Sequence, residues 1–264
     1  MAAWGTELAD WEVYLTAVGT PRTTMGLRVY HLGRVATGVG KTPATVTLDD
    51  LLVWLAGQDW SPNTRKSYRQ SLRAFYSWAL ATGRVSQSPA HLLPPVKVPR
   101  GRPRPTPEDA YRAALEAAPA RERLAIRLGG TCGLRRSEIA RARREDLEPD
   151  LIGRSLRVTG KGGHVRLVPV PDDLADEIEA MAPGWLFPSP HGGHLTAHHL
   201  AKCIRDVLGH GAHSLRHRSG TRAYAVSKDI RAVQELLGHA KPETTAMYTQ
   251  VPADDIRAAM MGAA

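Results

Sequence analysis

Pro94-Pro-Val-Lys-Val-Pro-Arg-Gly-Arg-Pro-Arg-Pro-Thr-Pro107 divides this chain. Six prolines and four basic residues (Lys97, Arg100, Arg102, Arg104) occupy its fourteen positions. Proline fixes φ and offers no backbone donor, so the stretch predicts an extended, stiff linker with little to place in a core. It separates an expected helical domain over residues 1–93 from a mixed domain over 108–264. Its charges suit a polyanion lying alongside, although a solvated connector would read the same way.

Upstream of the linker every pattern is helical. Trp4, Leu8, Trp11, Leu15 and Val18 recur at helical spacing. A second helix is expected to open at Thr20-Pro21, and a third follows Thr47, with Asp49 and Asp50 in its first turn, where negative charge suits the dipole. A fourth runs from Ser61-Pro62 to Gly83 and carries an apolar stripe of Tyr68, Leu72, Phe75, Tyr76 and Ala79. Arg65, Lys66, Arg69 and Arg73 lie on another of its faces, which suits a helix packed on its own domain and laid against phosphates.

Downstream, Thr106-Pro107-Glu108-Asp109 predicts a helix start with Thr106 as the capping hydroxyl and Pro107 at the first helical position. Residues 121–130 and 136–146 also read as helices. The period then changes. Residues 155–159 and 164–170 flank Gly160-Lys161-Gly162-Gly163 and predict a β-hairpin with a glycine-rich tip. Short helices follow. The expected fold class is mainly α: an all-α domain followed by an α+β domain with a small antiparallel sheet.

Charge agrees with a nucleic-acid partner. Residues 1–105 carry 13 Lys/Arg against 6 Asp/Glu, whereas residues 106–264 carry 22 against 20. The surplus sits in the N-terminal part, as expected of a region that grips a polyanion, with solvated helix faces as the plain alternative. Cys132 and Cys203 suggest no disulfide framework. No apolar run has the length of a membrane span and the first residues lack a basic start, so a soluble cytoplasmic protein of bacterial or phage origin, with no membrane partner, is expected.

Four segments could carry chemistry: Thr131-Cys-Gly-Leu-Arg135-Arg-Ser-Glu138, the hairpin tip with Lys161, His213-Ser-Leu-Arg216-His217, and Leu236-Leu-Gly-His239 through Tyr248. Singly each has an ordinary reading. Arg135 could be a surface ion pair, His239 a histidine at a helix end, Tyr248 a half-buried tyrosine. Gly160-Lys-Gly-Gly lacks the spacing of a phosphate-binding P-loop. His194/His198 and His213/His217 have helical metal-ligand spacing, but no acidic partner motif or nearby cysteine accompanies them, so no metal site is expected.

In order and spacing the segments resemble the tyrosine recombinase (phage integrase) family, which carries Arg, Lys, His-x-x-Arg, His and Tyr in this sequence. The resemblance covers about residues 106–250, and Asn63-Thr-Arg…Leu72…Phe75…Trp78…Gly83 more loosely resembles the family's SAM-like core-binding domain. Two positions depart from the pattern: Arg218 stands where a small hydroxyl residue is common, and Ser227-Lys228 where a glycine is frequent.

The resemblance implies catalytic roles for Arg135, Lys161, His213, Arg216, His239 and Tyr248. Two guanidiniums would hold the scissile phosphate, since each planar fork can take two phosphate oxygens. Tyr248, with a free pKa of about 10, would attack as it loses a proton to His213 or nearby water. Lys161 would protonate the leaving 5′-oxygen, with His239 as a further donor. The implied product is a 3′-phosphotyrosyl link that conserves bond energy, so no cofactor, ATP or metal is implied. DNA contacts are expected from Arg22, Arg65, Lys66, Arg69, Arg73, Lys97, Arg100, Arg102 and Arg104.

Implied partners are double-stranded recombination sites, three further copies in a tetramer, and an accessory directionality factor. A phage or mobile-element integrase is the preferred role and a Xer-type dimer resolvase the alternative. A type IB topoisomerase, a telomere resolvase and a non-cutting DNA-binding protein are the more distant rivals. Residues 253–264, with Ile256, Met260 and Met261, read either as a helix that docks on a neighbouring protomer or as a degradation tag.

Overall fold

The computed structural model describes residues 2–99, 103–160, 163–238, 245 and 260–261. The chain divides between Gly101 and Arg102 into two compact units, and the break falls inside the proline-rich stretch.

The first unit is built from α1 (Ala2–Ala17), α2 (Arg22–Val39), α3 (Leu48–Ala56) and α4 (Pro62–Ala81). Local chemistry sets their ends. Thr47 and Asp50 form a reciprocal cap on α3, with the Asp50 amide donating to Thr47 Oγ1 at 3.2 Å and the Thr47 amide to Asp50 Oδ2 at 2.9 Å. Lys41 Nζ adds a 2.7 Å contact and, with the cap, pulls the Asp50 carboxyl down to about 2. Ser61 caps α4 and Pro62 opens it. The expected stripe of α4 is buried in full, around Phe75, which meets Trp11 edge-on at 5.3 Å and stacks on Trp4 at 5.4 Å. Truncating such a core aromatic costs about 3–5 kcal/mol. His31 lies buried beside Tyr68 and Ser71, and burial lowers its pKa.

The second unit contains α5 (Glu108–Ala117), α6 (Ala120–Gly130), α7 (Arg136–Ala140), β1 (Leu147–Pro149), β2 (Arg154–Thr159), β3 (Val165–Val170), α8 (Asp172–Glu179), α9 (Ala197–Leu208), α10 (Ala212–Ser227) and α11 (Ile230–Leu237). The strands form one antiparallel sheet in the order β1-β2-β3, with Leu156 opposite Val168 and Arg154 opposite Val170. Alternation puts Leu156, Val158, Val168 and Val170 in the core with Leu174 and Ile178 of α8. α6 is central: Leu124, Ala125, Ile126 and Leu128 are buried. A β-carbon on Gly130 would lie 2.4 Å from the Tyr111 ring, so only glycine lets α5 approach here.

Three expectations need correction. Thr106 does not cap α5: the helix starts at Glu108, and the Thr106 hydroxyl and amide are held by Ser214 of α10 at 2.7 and 3.1 Å. The helix expected over 136–146 stops at Ala140, because the following backbone pairs instead with residues 184–186 (Arg144 N to Gly184 O, 2.9 Å; Leu186 N to Ala142 O, 2.9 Å) before a 3₁₀ turn at Arg144–Asp146. The sheet has a third strand, β1, joined to β2 by a turn in which Asp150 Oδ1 accepts the amides of Ile152 and Gly153 at 2.9 and 2.8 Å. No described helix is long and apolar enough to cross a membrane.

Candidate active site

Three segments distant in sequence meet at one cleft of the second unit. Gly133 turns the chain after α6 with φ +70°, and a β-carbon there would lie 2.6 Å from Leu237 Cδ2, so glycine lets α11 close on this turn. Arg135 is then held extended at the start of α7 by the buried Glu138. Its amide donates to Oε2 at 2.9 Å and its Nη1 to Oε1 at 2.6 Å. Arg166 of β3 grips the same carboxylate, Nη1 to Oε1 at 3.2 Å and Nη2 to Oε2 at 2.9 Å. Burial alone would raise the Glu138 pKa; the hydrogen bonds from Arg166 and Arg135 outweigh it and keep the carboxyl below its ordinary range.

α10 supplies His213 and, one turn on, Arg216. The Arg216 side chain is 2% exposed, and it donates to Gly133 O at 2.6 Å and to Leu237 O. The end of α11 is therefore tied at three successive carbonyls: Leu236 O by Arg166 Nε at 3.2 Å, Leu237 O by Arg216, and Gly238 O by Arg135 Nη2 at 3.1 Å. Those carbonyls form the negative end of the helix, where cations are favoured. Gly238 has φ +60°, and a β-carbon there would lie 2.8 Å from Arg166 Cδ.

A cleft of ≈ 460 Å³ results, lined by Arg135, Arg136, Arg205, His213 and Arg216 with small neighbours and without a carboxylate among its described lining residues. Four guanidiniums around one opening make a site for an anion with several oxygens. His213 titrates below an ordinary histidine because its surroundings desolvate the ring and because Arg216, Arg135 and Arg136 repel its proton. His217 packs edge-on against His213 at 4.3 Å, and burial, then His213 and Arg216, lower it to about 4.

Residues 107–254 match the phage integrase family profile. The chain is 33% identical to tyrosine recombinase XerC of Chromobacterium violaceum over 75% of its own length and 73% of the relative's. It is 30% identical to tyrosine recombinase XerA of Thermococcus kodakarensis over 96% and 93% of the two chains. This chain belongs to the phage integrase family. Among solved structures, a lambda integrase dimer bound to a COC′ core site shares its fold with a TM-score of 0.75 at 19% identity, covering 94% of this chain and 77% of that one. As a tyrosine recombinase the protein is an enzyme of DNA strand breakage and rejoining.

Of the six catalytic residues read from the recombinase sequence, the structure brings together Arg135, His213 and Arg216. Lys161, His239 and Tyr248 lie outside the described residues, as do Arg100 and Arg102. The hairpin that carries Lys161 is closed beneath its tip by Gly160 N donating to His164 O at 2.7 Å. Among the described residues no group of His, Cys, Asp and Glu is disposed to hold a metal, the four histidines considered for zinc included.

Sequence reasoning missed four contributors. Glu138 and Arg166 orient the site, and Arg136 and Arg205 line it. A signal for Arg166 was present: it shares a strand face with Val168 and Val170, and an arginine on an inward face needs a buried partner. Arg205 sits on α9 in no motif, and only packing carries it to the cleft. The departure at Arg218 has a structural account. Its guanidinium forks onto Glu108 at 3.0 and 2.8 Å, donates to Gly130 O at 2.8 Å and lies 3.6 Å over the Tyr111 ring, joining α10 to α5 and α6. Lys228 ends α10 in the left-handed conformation, φ 53°, which a glycine would adopt without strain.

On the basic face of α4 three guanidiniums make hydrogen bonds within their own unit. Arg65 donates to the carbonyls of Leu55, Gln58 and Trp60 (2.7, 2.5 and 3.3 Å), Arg69 to Leu93 O (3.0 and 2.8 Å) and Arg73 to His91 O (2.6 Å). These arginines hold carbonyls of the segments beside the helix, of which Leu55 O and Gln58 O also accept the amides of Gln58 and Trp60 at 3.3 and 3.1 Å. Arg22, Lys66, Lys97 and Arg104 are exposed.

Proposed function

We propose that this protein is a site-specific DNA recombinase, acting as the integrase of a phage or mobile element, with Tyr248 as its nucleophile. The convergence of Arg135, His213 and Arg216 on one carboxylate-free cleft carries the reading. A phosphodiester gains negative charge on its oxygens during attack, and pre-placed guanidiniums stabilise that charge without reorganisation.

In this scheme Arg135 and Arg216 hold the non-bridging oxygens, and His239 donates a further hydrogen bond. The Tyr248 oxygen attacks phosphorus as its proton passes to His213, whose pKa is lowered by burial and by the neighbouring guanidiniums. The bond to the 5′-oxygen breaks, Lys161 protonates that oxygen, and a 3′-phosphotyrosyl link with a free 5′-hydroxyl results. A 5′-hydroxyl from another duplex then reverses the step and regenerates Tyr248. Arg22, Lys66, Lys97, Arg100, Arg102 and Arg104 are assigned to backbone phosphates outside the cleft.

Pairs of copies exchange strands through a Holliday junction within a tetramer, with residues 253–264 docking between protomers; Met260 and Met261 are 63% and 67% exposed. A lambda integrase tetramer bound to a Holliday junction, sharing the fold with a TM-score of 0.72, supports this arrangement. A small accessory protein would set direction. The second reading, a Xer-type resolvase, is favoured by the curated relatives named above.

A nicked duplex that traps the free 5′ end tests the chemistry, with its site selected from a random-sequence pool. The parent should form an SDS-stable protein–DNA adduct and Tyr248→Phe should form none. Equal adduct from both would overturn the assignment.

A further inference from the structure

We infer that Arg136 and Arg205 form a second phosphate subsite in the cleft, holding DNA backbone phosphates next to the one that is cut. The inference rests on the recombinase reading and extends it to residues that no motif marks.

Several arginines of this unit are held by carboxylates. Arg127 pairs with Asp173 and Glu177, Arg154 with Asp176 and Glu179, Arg166 with Glu138, and Arg218 with Glu108. Arg135 shares Glu138, and Arg216 is anchored on two carbonyls. Arg136, on α7, and Arg205, on α9, line the same cleft as that pair, yet neither has a carboxylate within ion-pair distance among the described residues. Uncompensated cations gathered at one opening repel each other and attract any anion that enters.

The charge count also exceeds the need of one phosphate. Arg135 and Arg216 already present two forks to a single scissile group. DNA carries a charge about every 3.4 Å of axis on each strand, so a cleft that admits one phosphate brings its neighbours within reach. Arg136 is close enough to His213 to be among the charges that lower its pKa, which places that guanidinium's field inside the cleft. Phosphate contacts of this sort position the duplex and carry no base specificity.

The test uses the full chain and a short mixed-sequence duplex, with binding followed by fluorescence anisotropy between about 50 and 200 mM salt. Arg136→Gln and Arg205→Gln should each reduce the slope of log K against log salt by about 0.9, and the double variant by about 1.8. Arg136→Lys and Arg205→Lys should keep the parent slope, and Arg112→Gln, on exposed α5, should not change it. The glutamine variants should also raise the DNA concentration that half-saturates Tyr248 adduct formation, and the lysine variants should not. Parent-like slopes in both glutamine variants would overturn the subsite. Adduct formed by Tyr248→Phe would overturn the recombinase reading instead, leaving the slopes to be read for themselves.

Discussion

The arginines of α4 and those of the cleft look alike in sequence and differ in what surrounds them. Arg65, Arg69 and Arg73 form a regular basic face, yet their guanidiniums satisfy carbonyls of their own unit. Arg136 and Arg205 belong to no pattern, yet they stand without a carboxylate at the mouth of a cleft. A guanidinium whose donors are taken up by nearby carbonyls has fewer left for a partner, so the number and spacing of basic residues do not report their availability.

The sharpest way to break this contrast is at Arg216, which belongs to both kinds: it faces the cleft and ties Gly133 to Leu237. Arg216→Ala should lower adduct formation by about a thousandfold and cost about 3 kcal/mol of stability, measured by denaturant unfolding. A variant that loses activity with unchanged stability would show that the carbonyl ties contribute nothing.

Acid separates the units next. His217 is neutral in the folded state down to about 4, against about 6.5 when unfolded, so the unfolded chain binds more protons between these values. Stability is full above pH 6.5 and falls as pH drops toward 4, by up to about 3 kcal/mol from this group. The profile of His217→Gln should be flatter across that window. His31 of the first unit is lowered by burial, and His31→Gln should flatten the profile less.

Within α4 the two uses of a basic residue can be set side by side. Arg65→Ala should cost about 2 kcal/mol by removing charge-assisted bonds to three carbonyls, with the salt slope of DNA binding unchanged. The neighbouring Lys66→Ala should do the reverse, lowering the slope by about 0.9 with stability within about 0.5 kcal/mol. If Arg65→Ala lowers the slope as well, its carbonyl bonds give way to phosphate. The smallest effect is expected at Lys228→Gly, which should raise stability by about 1 kcal/mol by removing left-handed strain at the end of α10, read as an increase in Tm.

Much of this molecule was legible in its residues. α3 begins at Thr47, and α4 opens at Ser61-Pro62 and stops before Gly83, because caps act over one turn and need no distant partner. The hairpin follows from alternation and glycines, and its register from the burial of Leu156 and Val168 on one face. Wherever a distant segment competed for the same groups, local rules failed: Thr106 turned to Ser214 instead of capping, and residues after Ala140 left their helix to pair with residues 184–186.

By itself the sequence determined the starts of α3 and α4, the hairpin, and the family to which the ordered Arg, Lys, His-x-x-Arg, His and Tyr residues point. Only the tertiary structure decided which arginines are held by their own protein and which are left for an anion. Ion pairing depends on distances between elements separated by tens of residues, as where Arg166 reaches Glu138 and Arg205 arrives at the cleft that Arg136 lines, and no local spacing encodes those distances.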